Sequence, residues 1–64
     1  MLAKNIKKLR KTHKLSQEQL AQRAGVTYST LIKIESGANQ NPTLETISKI
    51  SEAFKISLDK LVKS

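Results

Sequence analysis

Tyr28, Ser29 and Lys33 set a phenol, a hydroxyl and an ammonium close together in the sequence. Such groups hydrogen-bond to surfaces that mix donors and acceptors, or to anions. Neutral hydrogen-bonding side chains flank them: Gln17 and Thr27 on one side, Asn39, Gln40, Asn41 and Thr43 on the other. The residues of bond-breaking chemistry are missing. His13 is the only histidine and there is no cysteine, so no metal-ligand cluster forms. No Ser–His–acid set, paired carboxylates or phosphate-cradling glycine loop is present. The chain reads as a binding protein, not an enzyme, and needs no cofactor and no metal.

Its charge points to an anionic partner. Twelve Lys and Arg stand against five Asp and Glu, a net charge of +7. Lys4, Lys7, Lys8, Arg10, Lys11 and Lys14 crowd the first fourteen residues, where no acid occurs. A basic balance attracts phosphate polyanions, but it also serves solubility alone. Tyr28 and Phe54 are the only aromatics, too few for a surface that stacks single-stranded bases. No apolar run is long enough to span a membrane and no signal-peptide core follows Met1, so no membrane role is expected. The absence of cysteine fits a reducing cytoplasm.

The elements that must position these groups are all helical. The 64 residues form one small domain with no β-period alternation and no repeat. Leu2, Ile6, Leu9 and His13 recur on one face of a first helix, about 2–13. His13 is expected to meet the C-terminal end of that helix. Ser16 and Gln19 make a capping box for a second helix. Leu20, Ala21 and Ala24 are its buried side and Gly25 its end. Thr27 caps a third helix, about 28–36, with Leu31 and Ile34 inward and Gly37 at its end. Residues 37–42 have loop composition. Thr43 caps a fourth helix, about 44–54, whose apolar side is Leu44, Ile47, Ile50, Ala53 and Phe54. Ser57 caps a short fifth, with Leu58, Leu61 and Val62 inward.

Residues 17–36, QEQLAQRAGVTYSTLIKIES, carry the most specific pattern. Two helices crossing steeply over a tight turn need a small residue at their closest approach, and Ala21 supplies it. Gly25 permits the turn, Val26 anchors it, and Leu31 and Ile34 fasten the second helix to the core. This is the layout of a helix-turn-helix motif. At about 100° per residue, Leu31, Ile34 and Thr30 point one way in the third helix. Tyr28, Ser29, Ile32, Lys33 and Ser36 point the other. Lys33 suits guanine O6/N7, Ser29 either donors or acceptors, Tyr28 a phosphate or a thymine methyl, and Ile32 a methyl. The same face would also serve as an ordinary solvated surface. Gln17 opens the second helix, where free N–H groups attract an anion. Thr27 is foremost a cap whose hydroxyl can also meet DNA.

The stretches IKKLRKTHKLSQEQLAQRAGV, STLIKIESG and NPTLETISKISEAFKISLDKL resemble the phage-repressor, or xenobiotic-response-element, family of helix-turn-helix domains. The resemblance covers almost the whole chain. It implies an all-α, five-helix, lambda-repressor-like fold, with the third helix in the major groove of duplex DNA. It implies a phosphate contact by Gln17 and further ones from Asn39, Gln40, Asn41 and Thr43. Many relatives carry Lys or Arg in that loop; this chain has none, and the lysines of the first helix either compensate or form a solvated face. The resemblance also implies a partly buried ion pair between Arg10 and Glu35, tying the first helix to the third. The expected function is sequence-specific binding of double-stranded DNA by a transcriptional regulator, a repressor, acting on a palindromic operator as a homodimer at least on DNA. Dimer contacts would come from residues 54–64. The expected setting is the cytoplasm, at a prokaryotic nucleoid or encoded by a phage. The alternative is an antitoxin or adaptor that uses the same fold chiefly to hold another protein.

Overall fold

The computed structural model describes residues 2–63, and every regular element in them is a helix. They are α1 (Leu2–Thr12), α2 (Gln17–Ala24), α3 (Tyr28–Glu35), α4 (Leu44–Phe54) and α5 (Leu58–Lys63). The boundaries follow from local chemistry. Ser16 Oγ accepts the Gln19 N–H at 3.1 Å while Gln19 Oε1 accepts the Ser16 N–H at 2.8 Å, completing the capping box. Thr27 and Thr43 each accept the N–H three residues on, at 3.2 Å, opening α3 and α4. Ser57 Oγ accepts the Lys60 N–H at 3.3 Å and opens α5.

The helix ends use left-handed residues. Gly25 (φ 73°) ends α2, and its N–H points back to the carbonyls of Ala21 and Gln22. Gly37 (φ 85°) follows α3. Lys14 (φ 56°) and Lys55 (φ 58°) take the same conformation after α1 and α4, where the sequence offers no glycine. α1 therefore stops at Thr12, one residue before the predicted end, and the chain reverses at Lys14 so that the Leu15 N–H reaches the Arg10 carbonyl at 2.9 Å.

α1 packs against α3 and α5, α2 against α3 and α4, and α4 against α5. Their inner faces form one core, with Ile6, Leu20, Leu31, Ile34, Ile50 and Leu61 essentially without exposure. Ala21 lies buried within it, as the crossing of α2 and α3 requires. The burial expected in α4 and α5 needs correction. Leu44 is 69% exposed, because it occupies the first turn of α4, beyond the neighbours that cover Ile47, Ile50 and Phe54. Among the described side chains of α5 only Leu61 is buried; Val62 is 46% exposed and Leu58 half-buried. His13 adjoins the end of α1 as expected, and its ring also meets Phe54, with centroids 5.2 Å apart and the planes tilted by 44°. Phe54 and Leu61 are core, so the apolar surface expected over residues 54–64 reduces to Val62 with half-buried Ile56 and Leu58; Ser64 lies outside the described residues.

Candidate nucleic-acid interface

The polar face of α3 is built from beneath. Glu35 is buried, with a side-chain exposure of 1%. Its carboxylate accepts from Arg10 Nε at 3.0 Å, from Arg10 Nη2 at 3.1 Å and from Gln17 Nε2 at 3.2 Å. Arg10 Nη1 donates to the Leu15 carbonyl at 3.0 Å. The Arg10–Glu35 pair thus joins α1, the α1–α2 turn, the start of α2 and the end of α3. The fork of Arg matches the two carboxylate oxygens, and charge-assisted bonds of this kind are the strong ones. No buried side-chain polar atom is left unpartnered among the described residues. The ion pair expected from the family resemblance is present, and Glu35 is more deeply buried than expected at the border of the core.

Gln17 has a part that sequence reasoning missed. Its amide spends one donor on Glu35, which fixes the side chain beside the start of α2. The N–H groups of Gln17 and Glu18 have no intrahelical acceptor by helix geometry, so an anion-attracting end remains next to it. Nothing local in the sequence signals this bond, since Glu35 lies far along the chain from Gln17.

Tyr28, Ser29 and Lys33 are all exposed on α3, and Tyr28 is 46% exposed. Ile32 is half-buried, so less of it is available than a wholly outward residue would offer. Thr27 Oγ1 both accepts the Thr30 N–H and donates to Thr30 Oγ1 at 2.7 Å, which occupies it as a cap. Thr43 does the same with Thr46 at 3.0 Å. The loop after α3 is tied to that helix: the Asn39 N–H donates to the Lys33 carbonyl at 2.9 Å, and Asn39 Oδ1 accepts the Asn41 N–H at 3.0 Å. Asn39 is therefore half-buried and shapes the loop, while Gln40 and Asn41 are exposed. Among the described residues no group of His and acidic side chains could hold a metal ion, and no helix is long and apolar enough to cross a membrane.

Five helices, a glycine turn between capped α2 and α3, and a polar outer face on α3 define a helix-turn-helix domain. A family model described as Helix-turn-helix matches residues 6–61, and the chain belongs to that family, in its xenobiotic-response-element branch. The HTH-type transcriptional regulator SinR of Bacillus subtilis is 34% identical over 62 residues, covering 97% of this chain and 56% of SinR. The antitoxin PezA of Streptococcus pneumoniae is 40% identical over 57 residues, 89% of this chain and 35% of PezA. The N-terminal DNA binding domain of SinR superposes with a TM-score of 0.95 at 33% identity, covering 100% of this chain and 93% of that domain. The chain spans about half or less of these two proteins' full length.

Proposed function

We propose that this chain binds double-stranded DNA sequence-specifically, as the DNA-reading part of a transcriptional regulator that represses. The observation that carries the reading is the exposed Tyr28–Ser29–Lys33 face of α3, held in place by the buried Arg10–Glu35–Gln17 network. α3 enters the major groove; Lys33 and Ser29 read base edges, Tyr28 a phosphate or methyl, and Ile32 adds an apolar contact. Gln17 and the starts of α2 and α4 meet phosphates, with Gln40 and Asn41 from the loop. Asn39, Thr27 and Thr43 act first as loop and cap residues and offer DNA only their remaining hydrogen-bonding capacity. The operator is a palindrome and two chains occupy it, with exposed Val62 as the apolar candidate for their contact. The protein works in the cytoplasm, on a nucleoid or phage genome.

Selection from a randomised duplex library tests this. The expected result is a palindrome whose half-sites lie about ten base pairs apart. No recovered motif, together with binding that vanishes on adding salt, would leave only phosphate attraction. A second reading, an antitoxin holding a toxic partner, is favoured by the likeness to PezA. Co-expression with neighbouring open reading frames separates the two, since an antitoxin co-purifies with a small toxic protein.

A further inference from the structure

α1 and α5 border an open groove of about 930 Å³ that the α3 face does not use. Leu9 and Ile56, both half-buried, form its apolar floor. Lys4, Lys8, Lys11 and Lys60 stand along its walls, and no acidic residue lines it. At about 100° per residue, Asn5, Leu9 and Thr12 lie on one flank of α1 and Arg10 on the other. Arg10 faces α3 through Glu35, whereas Asn5 faces α5 through its bond to the Leu61 carbonyl at 2.9 Å. The groove is therefore on the side of α1 turned away from α3.

We infer that this groove docks an acidic amphipathic helix from a partner protein. An apolar strip of that helix would lie on Leu9 and Ile56, and its carboxylates would meet the lysines on both walls. Two features select this occupant. The cations surround an apolar floor, and a strip of side chains can cover such a floor where a phosphate backbone cannot. The cations that line the groove are all lysines, whose methylene stems extend the apolar surface while the ammonium groups ring its edge. DNA held on α3 would leave this flank open, so the domain could carry a partner while on its operator.

The test uses the whole chain and a synthetic helical peptide with one leucine stripe flanked by glutamates. A scrambled peptide of the same composition is the control, in buffer of about 0.15 M salt to screen loose attraction. Amide chemical shifts of the labelled protein report where each binds. The expected result is saturable shifts at Lys8, Leu9, Ile56 and Lys60, none along α3, and scrambled-peptide binding at least about tenfold weaker. Lys8→Glu/Lys60→Glu, both exposed and so compatible with folding, should lose about tenfold in peptide affinity. Equal binding of the two peptides would overturn the proposal, because charge alone would then suffice. So would shifts confined to α3, or a short duplex that displaces the peptide from Leu9 and Ile56, which would make the groove a polyanion surface.

Discussion

At the scale of single residues, the fold and the site meet at Glu35. It has three donors, and the two from Arg10 carry the compensating charge. Replacing Arg10 by Met would leave a buried carboxylate facing only the Gln17 amide. A domain of this size has about 3–10 kcal/mol of stability in total, and stranding a buried charge costs about 3–5 kcal/mol. Urea melts should therefore show Arg10→Met folding marginally or not at all. Arg10→Met/Glu35→Leu should recover most of the loss, since a well-packed apolar pair often replaces an ion pair without penalty. A double variant no more stable than the single would mean that packing, not the stranded charge, sets the cost. Lys33 makes the opposite kind of variant. It is exposed and its side chain bonds to nothing in the fold, so Lys33→Ala should leave the melt unchanged. In library selection it should relax preference at one base position by about 1–3 kcal/mol. Uniform loss over all sequences would make Lys33 a phosphate contact.

At the scale of elements, the helices were legible because their signals are local. Ser16, Thr27 and Thr43 are caps by residue type and each accepts the predicted N–H. What a wheel cannot give is distance along the axis, and so Leu44 has the right angle for the core but sits past its edge. Six residues of α5 are likewise too short to bury the whole apolar face read from Leu58, Leu61 and Val62. Gln17 and His13 were illegible for another reason: their partners, Glu35 and Phe54, come from distant parts of the chain. The left-handed helix ends at Lys14 and Lys55 also escaped, since lysine carries no turn signal. They yield a prediction. A non-glycine residue in this conformation costs about 1–2 kcal/mol, part of which glycine returns as unfolded-state entropy. Lys55→Gly should therefore raise stability by about 0.5–1 kcal/mol. Conversely, a Cβ on Gly25 would meet no atom within 4 Å, so Gly25→Ala should destabilise through φ alone. A loss much above about 2 kcal/mol in the melt would show that the α2–α3 turn has further constraints.

At the scale of the whole molecule, charge and fold are divided unevenly. The net charge of +7 suggests strong attraction to DNA. Yet residues 37–43, between α3 and α4, carry no cation, and the cations of α1 include four that line the groove turned away from α3 or its rim: Lys4, Lys7, Lys8 and Lys11. Fewer of the twelve bases than the total implies can then neutralise phosphates at once. Each neutralised phosphate steepens the fall of log K with log salt by about 0.9. The domain should accordingly show a shallow salt dependence for so basic a chain, with neutral hydrogen bonds at Gln40 and Asn41 contributing affinity but no slope. Gln40 is exposed and free to change without touching the core. Gln40→Lys should raise affinity for every duplex alike and add about 0.9 to the slope per bound chain, hence about twice that if two chains occupy the operator. Titrations of the two proteins across a salt series measure both quantities. An unchanged slope would place the loop off the phosphate backbone. A doubled increment, by contrast, would count the chains on the DNA as well as locate the loop against it.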